Sequence, residues 1–139
     1  MTAEEQARAD IVEVGRRLWE RGYVASNDGN ISVRLDEHRL ITTPKSVSKG
    51  FMTPDMMVIV DRDGKKVAGD RDPSSELPMH LEIYHNRPDV NAVNLDRDLR
   101  VTESMCCIHV THPSRGARSR ALGGAPMGPR TLLPVTLAT

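Results

Sequence analysis

The chain has 139 residues, 38% of them hydrophobic and 27% charged, which fits one ordinary soluble domain and leaves no apolar run long enough to span a membrane. Nineteen basic and nineteen acidic residues cancel to a formal net charge of zero, so no electrostatic pull toward nucleic acid or an anionic membrane is expected, while small neutral ligands and phosphorylated metabolites stay open. Two adjacent cysteines, Cys106 and Cys107, do not make a disulfide framework.

The segment MTAEEQARADIVEVGRR has acidic residues early and no apolar stretch of signal length, so a cytoplasmic location is expected. Thr2 stands three residues before Glu5, the spacing of a capping box, in which each side chain satisfies the other residue's free backbone N–H. Ala7, Ile11, Val14 and Leu18 follow on one helical face, and Gly22 closes the helix. NISVRL alternates Ile31, Val33 and Leu35 against Ser32 and Arg34, the pattern of a half-buried strand, and RLITT offers its neighbour. MMVIVDRDGKKVAG reads as a strand, a turn at Asp63-Gly64 and a returning strand. Ser75 to His85 is helical in pattern, with Leu77, Leu81 and Tyr84 on one face, and DVNAV starts another strand. Helix, antiparallel strands, helix and strand predict a layered α/β fold rather than a βαβ nucleotide-binding fold.

Three loops are polar in a way that suits an anion. SNDGNIS offers Gly29 and the amide of Asn30; TTPKSVSKG adds hydroxyls, Lys45 and Lys49; and PSSE puts Ser74 and Ser75 at a helix start, where unpaired N–H groups and the helix dipole favour a phosphate. Singly, each reads more readily as a turn or an N-cap.

In order and together, SNDGNISVR, ITTPKSVSKGFMTPDMMVIVD and PSSELPMHLEIYHNRPDVNAV resemble the class II aldolase/adducin family over about residues 5–93. The resemblance implies an α/β/α three-layer fold on a largely antiparallel sheet, incomplete at the C-terminus of this chain. It implies phosphate binding by Asn30, Lys45, Ser46, Ser74 and Ser75, and proton transfer by Glu76, on a sugar phosphate such as L-fuculose 1-phosphate, cleaved to dihydroxyacetone phosphate and L-lactaldehyde. Ribulose-phosphate epimerisation, methylthioribulose-phosphate dehydration and a non-catalytic adducin-like association domain are the alternatives within the family. Zinc held by three histidines is the implied cofactor, and homo-oligomers, often tetramers, the implied assembly.

The chain departs from this pattern after Val93, where the family has one or two apolar residues and then His-X-His-Pro. NLDRDLRVTESMCC stands there instead, and His109 and His112 ahead of Pro113 form a displaced counterpart, the candidate metal residues of this chain. Their spacing of three sends two strand side chains to opposite faces. His80, four residues after Glu76, has a spacing that can serve a metal but reads as a packing or supporting histidine, and His38 and His85 read as surface residues. Residues 1–93 carry a formal charge of about −3 and residues 94–139 about +3, with every aromatic in the first part. The second part, rich in Arg, Gly, Ala and Pro, is expected to be a poorly ordered tail, the product of truncation or of a shifted reading frame, and the chain to be inactive for want of its metal motif.

Overall fold

The computed structural model describes residues 1–97 and 106–111. Helix α1 (Ala3–Glu20) begins at the expected capping box: the Glu5 N–H donates to Thr2 Oγ1, and the Glu5 carboxylate accepts from the Thr2 N–H. Strands β1 (Asn30–Arg34) and β2 (Arg39–Thr42) follow, then two short 3-10 turns, Lys49–Phe51 and Pro54–Met56. β3 (Val58–Asp61), β4 (Lys66–Ala68), α2 (Leu77–Asn86), β5 (Ala92–Arg97) and β6 (Cys106–Thr111) complete the described elements. The strands form one sheet in the order β4-β3-β2-β1-β5-β6, every adjacent pair antiparallel. The boundary expected at Val93 falls inside β5, whose backbone pairs with β1 on one side and β6 on the other.

Each face of the sheet carries its own apolar core. Ala7 and Ile11 of α1 pack with Ile31, Ile41, Met52, Met57 and Ile59 on one face. Leu77 and Tyr84 of α2 pack with Leu40, Val58, Val60, Val90 and Val93 on the other. The result is the three-layer α/β/α architecture with a largely antiparallel sheet.

Two local expectations need correction. The buried face of α1 passes through Ala7, Ile11 and Gly15, while Val14 is 40% exposed. The reason is a close approach, since a Cβ on Gly15 would lie 2.8 Å from the Lys49 carbonyl oxygen and 2.5 Å from Met52 Cε. β1 is not half-buried: Ser32, at an alternation position that reads as solvent-facing, is wholly buried beneath α2. A sheet covered on both faces buries both sets of side chains, so alternation of polar and apolar residues no longer reports exposure.

Candidate functional site

At one end of the sheet, the loop before β1, the loop after β2 and the segment before α2 come together. The Lys45 N–H donates to Asp72 O at 2.9 Å and the Ser74 N–H to Thr43 O at 3.1 Å, around an isolated bridge between Pro44 and Pro73. This pairing sets the Thr-Pro loop beside the Ser-Ser segment although some 30 residues of chain separate Pro44 from Ser74. In the first loop Gly29 takes a φ of +77°, with Val24 and the Leu95 carbonyl oxygen so near that a Cβ would collide at 2.7 and 3.1 Å. Ser46 holds a φ of +58°, a left-handed conformation uncommon for a residue with a side chain.

Between these segments lies a cleft of about 380 Å³. Asn30, Lys45, Ser46, Ser74, Ser75 and Glu76 all line it, joined by Asn27, Asp28, Gly29, Pro44, Lys49 and Leu95. The Ser74 hydroxyl accepts from the Glu76 N–H, and its carbonyl accepts from the Leu77 N–H, so α2 starts two residues later than its sequence pattern predicts. Glu76 is therefore the N-cap residue. Its side chain makes no capping bond, which leaves the carboxylate on the cleft wall. Neither the Ser75 hydroxyl nor the Lys45 ammonium has a hydrogen-bond partner among the described residues, so both are available to a ligand.

Lys49 stands with Lys45 in a polar loop that suits an anion, but it is not in the phosphate-binding set that the resemblance implies. It was legible as a basic residue in a polar loop, but not as a cation buried to 2% exposure in the cleft wall. Its Nζ donates to the Val47 carbonyl at 2.6 Å, and burial pulls its pKa down to about 8, opposed by the nearby Asp28 carboxylate.

Beneath the cleft runs a buried chain of polar side chains. His80 contacts Asn30 Oδ1 through Nε2 and Ser32 Oγ through Nδ1 at 2.6 Å; Ser32 Oγ in turn lies 2.9 Å from the Tyr84 hydroxyl. His80 is 1% exposed, and with no charged partner there burial pushes its pKa down to about 4, leaving it neutral at physiological pH. His38 and His85 are exposed, as expected. His109 is placed by its backbone in β6, opposite Asn94, and His112 lies outside the described residues.

An antiparallel sheet clad by a helix on each face, with a polar cleft built from three loops at its end, is an α/β layered protein with a candidate small-molecule site; no helix among the described residues is long and apolar enough to cross a membrane. Residues 9–94 match the family described as Class II Aldolase and Adducin N-terminal domain, and the chain belongs to that family. It is 37% identical over 83 residues to a 3-oxo-tetronate 4-phosphate decarboxylase of Haemophilus influenzae, a match covering 60% of this chain and 39% of that protein. An L-fuculose phosphate aldolase of Methanococcus maripaludis is 39% identical over 84 residues (60% and 45% covered), and a methylthioribulose-1-phosphate dehydratase of Gluconacetobacter diazotrophicus 44% over 85 (60% and 41%). Among solved structures, YgbL from Klebsiella pneumoniae superposes with a TM-score of 0.67 at 30% identity, over 71% of this chain and 47% of its own. The chain thus spans about two fifths of the length of the curated relatives it matches.

The zinc that the resemblance implies does not fit the side chains of the described residues. Among the described residues no three His, Cys, Asp or Glu gather where they could hold an ion. Along β5, where the resemblance calls for histidines, the cleft wall carries Leu95, which has no lone pair to offer. Its neighbour Asn94 has a buried Oδ1 without a hydrogen-bond partner among the described residues, but one amide oxygen is no ligand set.

Proposed function

We propose that this cleft takes the phosphate of a ketose phosphate, gripped by Asn30, Lys45, Ser46, Ser74 and Ser75, and that Glu76 is the group aimed at the reacting carbons. The reaction that the family resemblance attaches to such an arrangement is retro-aldol cleavage, with L-fuculose 1-phosphate giving dihydroxyacetone phosphate and L-lactaldehyde as the leading example. The observation that carries the reading is convergence: three loops distant in sequence turn unspent donors toward one volume. A phosphate dianion needs several such donors at once, and the loops supply them from side chains, since the first N–H groups of α2 are taken by Ser74 and Glu76. The matched relatives are named for different reactions on phosphorylated substrates, which supports the phosphate end of the ligand more strongly than any one reaction.

Glu76 suits proton transfer because its backbone is fixed at the first turn of α2 while its carboxylate stays unpaired on the cleft wall. A carboxylate there repels a phosphate and so contributes nothing to the grip; its use lies in the chemistry. Cleavage also needs positive charge at the developing enediolate besides the lysines given to the phosphate, and Leu95 cannot recruit a cation there. This chain is accordingly a binder of sugar phosphates that does not turn them over.

The test is titration of the full chain with dihydroxyacetone phosphate, followed by 31P NMR and by the fluorescence of Trp19, the sole tryptophan, whose ring stacks edge-on against Phe51 beside the cleft lysine. Saturable binding of dihydroxyacetone phosphate but not of dihydroxyacetone is expected. Lys45→Ala should weaken it about tenfold, the worth of one charge-assisted hydrogen bond, while Glu76→Gln should not weaken it at all. Equal affinity for the unphosphorylated ketone would refute the phosphate assignment, and turnover of L-fuculose 1-phosphate with zinc supplied would refute binding without cleavage.

A further inference from the structure

The cleft wall rests on a row of buried groups that no part of the phosphate grip requires in itself. Tyr84, Ser32, His80 and Asn30 form an unbroken chain of hydrogen bonds from α2 to the cleft, and all four are 4% exposed or less. Water cannot complete their bonding, so the protons within the chain must satisfy one another.

Only one direction does so. Among the described residues the Tyr84 hydroxyl has Ser32 Oγ as its one hydrogen-bond partner, so its single proton has Ser32 Oγ as its acceptor. Ser32 Oγ then donates its own proton to His80 Nδ1. A neutral imidazole has one N–H and one lone pair, and with Nδ1 accepting, the proton sits on Nε2 and goes to Asn30 Oδ1. The Asn30 carboxamide is thereby held by its oxygen. Its NH2 group, without a hydrogen-bond partner among the described residues, is left for the cleft that Asn30 lines. In the reverse direction the Tyr84 proton would have no acceptor, and Asn30 would turn its carbonyl oxygen toward an incoming phosphate.

We infer that His80 is a positioning residue, locked as the Nε2–H tautomer by Ser32 and Tyr84, which fixes the Asn30 amide NH2 toward the cleft as a donor to the ligand phosphate. The inference rests on the phosphate reading for its ligand, but not for the tautomer. It explains why α2 presents an imidazole to the sheet at a position where a leucine would fill the same space: the apolar residue would leave Asn30 free to rotate, and half its orientations face the phosphate with a lone pair.

The experiment combines one spectroscopic and one binding measurement on the full chain. Long-range 1H–15N correlation at neutral pH reads the tautomer directly, with the His80 signals assigned by their loss in His80→Gln. The Nε2–H form is expected, and the Nδ1–H form would overturn the inference. Affinity for inorganic phosphate and dihydroxyacetone phosphate is then measured for two substitutions. His80→Gln puts an amide N–H near the Nε2 position and should stay within about threefold of the original chain, whereas His80→Asn reaches only Ser32 and should bind about tenfold more weakly. A merely structural histidine would instead give losses that follow the two melting temperatures, and equal affinity of the two variants would likewise overturn the assignment. Failure of the unsubstituted chain to bind either probe sinks the phosphate reading. An Nδ1–H tautomer in a chain that does bind phosphate sinks the His80 assignment alone.

Discussion

Lys49 and Lys45 face the same cleft but are different cations. Lys45 is exposed, whereas Lys49 is buried, and desolvation lowers its pKa to about 8. Its ammonium is therefore charged below about pH 8 and neutral above, while a bound phosphate stays dianionic across that range. Phosphate affinity should fall as pH rises from about 7 to 9, by about tenfold if Lys49 supplies one strong contact. In Lys49→Gln the affinity should be lower at pH 7 and nearly flat to pH 9. The measurement is the phosphate dissociation constant against pH for both chains, and parallel curves would remove Lys49 from the site. The exposure of these two lysines could not be told apart from TTPKSVSKG, because burial of Lys49 depends on the approach of α1 to the turn that carries it.

That approach belongs to the scale of elements. Gly15 lets α1 lie directly on the Lys49–Phe51 turn, where any side chain would strike the Lys49 carbonyl oxygen as well as the more yielding Met52 methyl. Gly15→Ala should cost about 1–3 kcal/mol in urea unfolding, despite the better helix propensity of alanine, and should also weaken phosphate binding by shifting Lys49. A stabilised variant with unchanged affinity would show that the turn yields freely. Thr2→Ala, which removes the capping box at the far end of the same helix, should cost about 1 kcal/mol with no effect on ligand. The contrast tracks what was legible in the sequence. The capping box, the Asp63-Gly64 turn and the helical period of α2 depend on neighbours in the chain, and all could be read there. Gly15 and Ser32 could not, because each is fixed by a partner element: Gly15 by a turn more than 30 residues on, Ser32 by a helix nearly 50 residues on. The members of the candidate site were legible as polar loops and motifs, and His80 as a packing or supporting histidine, whereas Tyr84 looked like the ordinary apolar face of a helix and the partners of His80 could not be read.

At the scale of the whole molecule, the same buried histidine links the site to acid stability. His80 has a pKa of about 4 when folded and its ordinary value of 6.5 when unfolded, so between those values the unfolded chain binds a proton that the folded chain refuses. Stability is therefore full above about pH 6.5, falls as pH drops toward 4, and loses nothing further from this group below 4. The slope is about 1.4 kcal/mol per pH unit and the total up to about 3 kcal/mol, a large fraction of what an ordinary domain possesses. Carboxylates act lower on the scale. Glu5, held down chiefly by the Thr2 backbone N–H, and Glu13, held down chiefly by Arg16, favour the fold above the usual carboxylate pKa and lose that contribution only below it. A decline that begins near pH 6.5 thus belongs to His80. Urea unfolding at pH 7, 6 and 5 should show it in the original chain, while His80→Gln, less stable at pH 7 through loss of the Ser32 contact, should hold nearly constant over the same range. If both chains decline in parallel, the proton enters elsewhere and the imidazole is not the neutral, buried link between α2 and the cleft.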